Sequence, residues 1–337
     1  MLPAPLSRAV ATVISVVWNR AARRPRLPLR LVLTAVVAAL LSGIAALGVG
    51  LIAGGGSGGP LPGIDSGPVL QVAGAVLAAV GVTAVVAIAG VAIDRRRLAD
   101  FGLHLDRDWW LDCAFGAALG LALITGVFLV GVGAAWFRVT GLVVTAAGAS
   151  AVGLAAGYLV LFAAVSVAEE LAVRGYLLTN LAEGLRVGPV GGSVALGGAV
   201  LATSALFGLL HAGNPSATAA STATIGLAGL FLAAGYALTG ELAIPLGLHF
   251  TWNYAQGVLF GFPVSGLRLG VAVVETRETG PDLVTGGPFG PEAGLLGVAA
   301  ILVGTAAIAL WVRWRTGAPG PAAAVWTPDL RWRSPEE

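Results

Sequence analysis

Runs of about 20 apolar residues recur along this chain, each the length an α-helix needs to cross a hydrocarbon layer. Hydrophobic residues make up 57% of its 337 residues and charged residues only 11%, too little charge to clothe a soluble domain of this size. In lipid every backbone N–H and C=O must be paired within the segment, which restricts such runs to helices. The sequence therefore predicts an all-α protein, a polytopic transmembrane helix bundle. Apolar periodicity and turn signals place about eight spans, near residues 31–54, 68–93, 110–135, 141–166, 192–212, 217–239, 242–262 and 293–313. The fourth continues as a helix to about 184. No cleavable signal peptide is evident, because the first apolar run is too long for one.

The flanks divide the chain further. Residues 1–30 are basic and contain Trp18, as an interfacial helix or a frayed tail would. Residues 31–140 hold the first three helices and 141–265 the next four. A Gly/Pro-rich external loop at 266–292, suited to act as a lid, leads to the last helix within 293–315. The Pro- and Ala-rich tail at 316–337 predicts cytoplasmic disorder.

Arginine supplies all the basic charge, since the sequence has no lysine. With the N-terminus inside, the cytoplasmic segments collect Arg8, Arg20, Arg23, Arg24, Arg26, Arg30, Arg95, Arg96, Arg97, Arg107, Arg186, Arg313, Arg315, Arg331 and Arg333. The opposite face keeps only Arg138, Arg268 and Arg277. That positive-inside bias puts both termini in the cytoplasm and points to topology rather than nucleic-acid binding. The lysine-free, Ala/Gly/Val/Arg-rich composition suggests a high-GC bacterial genome, and hence the plasma membrane. The single cysteine, Cys113, excludes an intrachain disulfide.

Against this background Glu169, Glu170 and Arg174 stand out, because a charge near the bilayer centre costs roughly 2.5–3.5 kcal/mol on insertion scales. Residues four apart share a helical face, so Glu170 and Arg174 can pair while Glu169, about 100° away, faces a cavity. Further on, Phe207 and His211 share one face, and His249 and Asn253 another. Two polar groups one turn apart in an apolar helix need a polar partner. A carboxylate, two imidazoles and an amide are the parts of peptide-bond hydrolysis: a base for water, a proton shuttle and an oxyanion donor. The competing reading of each pair is a hydrogen-bonded packing clamp without chemistry. No His-Glu-x-x-His run, Gly-x-Ser-x-Gly motif or Walker loop is present to offer another site.

Glu169-Glu170-x-x-x-Arg174, Phe207-x-x-x-His211 and His249-x-x-x-Asn253, each in its own apolar run, resemble the CAAX-prenyl-protease and bacteriocin-processing group of intramembrane endopeptidases. The similarity covers roughly residues 155–265 and makes 141–265 the expected catalytic core. The resemblance implies a glutamate-type endopeptidase with Glu169 as general base beside His211. His249 and Asn253 would then hold the water or stabilise the oxyanion, and Glu170, Arg174 and Phe207 would support them. Its substrate would be a membrane-associated peptide or protein, prenylated at its C-terminus as the family name suggests, although no residue here encodes a prenyl pocket.

Glu169, His211 and His249 also match a three-ligand site for a divalent metal such as zinc. A scarcity of acceptors to fix the imidazole tautomers favours a metal-free arrangement. Two further classes remain open: a non-catalytic immunity, scaffold or secretion-assisting membrane protein of the same fold, and a proton-coupled transporter. Against the transporter, the sequence has no internal repeat.

Overall fold

The computed structural model describes residues 17–19, 22–36, 68–146, 149–317 and 320–330. Most of the expected first span, at 37–54, therefore lies outside the described residues, as do 1–16 and 331–337. The main helices are α1 (Leu27–Val36), α2 (Pro68–Ala92), α3 (Arg107–Gly133), α4 (Ala151–Gly184), α5 (Gly192–Leu210), α6 (Ala219–Thr239), α7 (Ala243–Tyr254) and α8 (Leu295–Thr316). Six of them, α2 to α6 and α8, are long and apolar enough to cross a membrane, so the chain is a multi-pass membrane protein. Helix α7 continues as a π-helical stretch over Ala255–Leu259 and is shorter than those six.

Local signals set the helix ends. Asp106 caps α3 by accepting from Trp109 N at 2.8 Å, and Ser150 caps α4 by accepting from Gly153 N at 3.2 Å. Thr218 and Ser221 form a reciprocal capping box on α6. Gly240, at φ +76°, closes α6 and turns the chain directly into α7.

Helix α7 is wedged against α3 and α4. A Cβ on Gly247 would lie 2.1 Å from the Cys113 carbonyl, and one on Gly116 would lie 2.2 Å from the Ile244 carbonyl. The two backbones touch, the close approach that small residues permit in lipid. This contact fixes the depth of the helix that carries His249.

Three expectations are corrected. The fourth span does not begin at 141, and the fold is not purely α. Residues Phe137–Thr145 form strand β1, which pairs antiparallel with β2 (Val271–Glu278) in what had read as a plain loop. The segment Val139-Thr140-Gly141-Leu142-Val143-Val144-Thr145 is apolar but β-branched, and an apolar run alone does not separate strand from helix.

The tail is not disordered over 320–330. Val325 and Leu330 are buried, Ala322 N donates to Ala237 O at 2.8 Å, and Leu330 bridges to Arg96. A few apolar side chains outweigh the Pro/Ala-rich composition.

Residues 22–30 are not a frayed tail. Arg24 and Arg30 are buried with Arg96 around Glu183, the latter two at 3.4 and 2.5 Å, while Asn180 donates to Asp94 at 2.5 Å. Each cation has an anionic partner, which is what makes burial of charge tolerable.

Candidate active site

Glu169 and Glu170 lie midway along α4, immediately before the helix widens into a π-helical stretch over Leu171–Leu178. Such widening is frequent at functional sites. The two carboxylates part company there. The Glu170 side chain is 0% exposed and faces protein, whereas that of Glu169 is 35% exposed and lines a cavity of about 600 Å³.

Glu170 Oε1 accepts from Arg174 Nη1 at 2.8 Å, the i, i+4 pair expected from spacing. The same oxygen accepts from His249 Nδ1, also at 2.8 Å. Arg174 is fully buried; its Nη2 donates to the Gly229 carbonyl at 3.1 Å, and its guanidinium lies over the Phe207 ring, 4.4 Å from the centroid. That ring also meets His211 at 4.8 Å and turns its edge towards His249 at 6.3 Å. Phe207 is thus the apolar hub between α4, α5 and α7. Glu170 Oε2 and Arg174 Nε are buried without a protein partner.

Both imidazoles are fixed in one tautomer. His211 is the C-cap of α5, where the last carbonyls have no intrahelical donor. Its Nδ1–H donates to the Phe207 carbonyl at 2.8 Å, leaving Nε2 unprotonated in the neutral ring. His249 donates through Nδ1 to Glu170 and turns Nε2 towards Glu169 Oε2, 3.8 Å away. Asn253 lines the same cavity, and its amide has no partner among the described residues. The shared partner expected for His249 and Asn253 is therefore absent. Glu170 serves His249 and not Asn253.

All seven residues singled out by sequence meet at one place: Glu169, Phe207, His211, His249 and Asn253 on the cavity wall, and Glu170 and Arg174 behind it. The reason given for a metal-free site does not hold, since both rings have acceptors on their far nitrogens. Yet among the described residues no group of three or more His, Cys, Asp or Glu side chains is arranged to hold a metal ion. The ligand set of Glu169, His211 and His249 is not assembled as a metal centre.

Sequence reasoning missed the roof of the cavity. Gln256, one turn beyond Asn253's partner-free amide on the α7 extension, accepts from Trp252 Nε1 at 2.9 Å and donates to the Pro263 carbonyl at 2.6 Å and to Glu292 Oε2. Glu292 Oε1 accepts from Ser265 N at 2.5 Å, and Asn214 Nδ2 donates to the Ser265 carbonyl at 3.0 Å. The chain of bonds ties the loop at 263–269 to α7 and to the turn after His211. A glutamine inside an apolar helix was the signal available for it.

Residues 151–255 match the family model described as Rce1-like, type II CAAX prenyl endopeptidase Rce1-like. The matched segment spans α4 to α7 and contains all three motifs, so over these residues the chain is similar to the CAAX-prenyl-protease and bacteriocin-processing family. No curated protein and no solved structure matches the chain.

Proposed function

We propose that this chain is an endopeptidase of the cell membrane that hydrolyses a peptide bond close to a membrane-anchored segment of its substrate. One observation carries the reading: an exposed Glu169 carboxylate shares a cavity with two tautomer-fixed imidazoles, while its neighbour Glu170 is spent on holding one of them. A packing clamp accounts for Glu170, Arg174 and Phe207 but leaves Glu169, His211 and Asn253 without a purpose.

In this reading Glu169 takes a proton from water as the water oxygen bonds to the scissile carbonyl carbon. His249 Nε2, facing Glu169, receives or returns that proton. The amide of Asn253 and a protonated imidazole donate to the oxyanion, whose charge is stabilised most where water is excluded. Collapse of the intermediate breaks the C–N bond, and the proton held between Glu169 and His249 passes to the leaving amine. Glu170 is a positioning residue: it touches no reacting atom and acts through the His249 ring.

The test is a proteolysis assay with purified protein in lipid. Glu169→Gln should lower turnover by about 10²–10⁴-fold, the worth of a positioned base. Its unfolding temperature should be unchanged, because the side chain is partly exposed and holds no partner in place. Full activity in Glu169→Gln would remove the base from the mechanism. If His249→Ala were also fully active, the non-catalytic reading of the fold would replace this one.

A further inference from the structure

Most of the described arginines lie at the end of the bundle opposite the cavity's mouth, where Arg268 is a wall residue. Arg95, Arg96 and Arg97 follow the end of α2, Arg107 opens α3, Arg186 follows α4, and Arg313 and Arg315 close α8. Side-chain contacts draw these ends together: Arg315 meets Asp108 at 3.3 Å, Arg97 meets Asp329 at 3.5 Å, and Arg186 donates to the Trp326 carbonyl at 3.2 Å. The opposite end bears the β1–β2 ribbon with Arg138 and Arg277, and the loop that holds Arg268.

The cavity runs towards the ribbon end. Its wall climbs α4 from Glu169 through Val165, Phe162 and Tyr158, and meets Gln71 and Val72 at the start of α2. Its roof is the segment from Val264 to Leu269. Towards the arginine end the bundle is closed beneath the site by Tyr236, Leu242, Leu178 and Arg96, all at most 1% exposed. In membrane proteins the arginine-rich short segments are cytoplasmic.

We infer that the chamber is entered from the extracytoplasmic side, and that its substrate is the extracytoplasmic, membrane-proximal segment of an anchored polypeptide. The inference rests on the peptidase reading above for the word substrate, but the direction of entry rests on the fold and the arginines alone. It sets aside a cytoplasmic lipidated C-terminus as the substrate, because such a chain end would meet the closed end of the bundle.

Site-directed labelling separates the two parts. In a Cys113→Ser background, Leu267→Cys puts a thiol at the cavity roof and Leu98→Cys puts one at the arginine end; both leucines are about half exposed. A membrane-impermeant maleimide applied to intact cells should label Leu267→Cys and leave Leu98→Cys unlabelled until the cells are permeabilised. The reverse pattern would overturn the inference while leaving the loss of activity in Glu169→Gln intact. If Cys113→Ser does not accumulate, the same pattern is read in the wild-type background by mass-spectrometric assignment of the labelled cysteine. Membrane peptides from cells with wild-type protein and with Glu169→Gln are then compared. Chain ends unique to the wild type should fall in extracytoplasmic segments. Ends in cytoplasmic segments would overturn the inference, and identical peptide sets with outward labelling would overturn the peptidase reading and its substrate together.

Discussion

Glu170 Oε1 receives two hydrogen bonds of 2.8 Å, one from His249 Nδ1 and one from Arg174 Nη1. A single buried oxygen thus anchors a cation of its own helix and orients an imidazole of another. The sequence predicts only the first of these duties, and with it a Glu170→Gln variant that chiefly loses stability or expression. Because the histidine depends on the same oxygen, stability and turnover should fall together. Removing the charge leaves Arg174 buried and unpaired, a loss of about 3 kcal/mol. The loosened ring should cost about 10²-fold in kcat, since small misplacements of a catalytic group have effects of that size. Thermal unfolding and turnover in lipid, measured on one preparation, check both; a destabilised but fully active variant would detach Glu170 from His249.

Arg174 should not tolerate lysine. Its guanidinium donates to Glu170 and to the Gly229 carbonyl while its plane lies 4.4 Å from the Phe207 centroid. A lysine ammonium is a compact charge that cannot fork to two acceptors and stack at once. In a double-mutant cycle, Arg174→Lys and Phe207→Leu should couple by about 0.5–2 kcal/mol, the range of a desolvated cation–π contact. Simple additivity in unfolding free energy would show that the ring only fills space.

How far these features were legible varies residue by residue. Glu169, Glu170 and Arg174 announced themselves because charge is rare inside an apolar run, and the spacing of four fixed the pair. The fixing of His211 was also within reach, since a histidine ending a helix can turn back to a carbonyl of its own last turn. The acceptor for His249 was not, because it lies 79 positions earlier and only the packing of α7 on α4 brings it near. The β1 strand was hidden by composition: Val and Thr in an apolar run satisfy either a span or a strand until a partner is known. Glu292 was invisible for the opposite reason, as one glutamate in a Gly/Pro-rich loop looks solvated until the loop is seen to fold inward.

Glu183 tests the closed end of the bundle. It meets Arg24, Arg30 and Arg96, whose side chains are at most 3% exposed. Replacing it with alanine leaves three buried cations around the remaining Asp94 and Asp100, and the expected loss is about 3–5 kcal/mol. The residue stands about 20 Å along α4 from Glu169. In the fraction that stays folded, kcat and KM should therefore be those of the wild type. A selective fall in kcat would mean that the ion cluster and the catalytic residues are coupled through α4.

Glu292 should make the roof of the cavity sensitive to pH. Burial pushes this carboxyl up to about 7 from its ordinary 4.5, against the pull of hydrogen bonds from Ser265 and Gln256. A carboxyl whose folded-state pKa is raised binds its proton more tightly in the folded chain. Its contribution to stability is therefore complete below pH 4.5 and is lost as the pH rises through about 7. The difference across that window is about 3 kcal/mol. An ionised Glu292 keeps the bonds from Gln256 and Ser265 but is a buried charge with no cationic partner among the described residues, so it favours opening to water of the segment from Val264 to Leu269 that roofs the cavity. Glu292→Gln, which mimics the protonated acid, should flatten the decline in unfolding temperature between about pH 5 and 8. The thiol of Leu267→Cys should in turn react faster with maleimide at the upper end of that range than its thiolate fraction alone explains, and the excess should vanish when Glu292→Gln is added. Parallel stability profiles for the wild type and Glu292→Gln would mean that the carboxyl titrates without moving the roof.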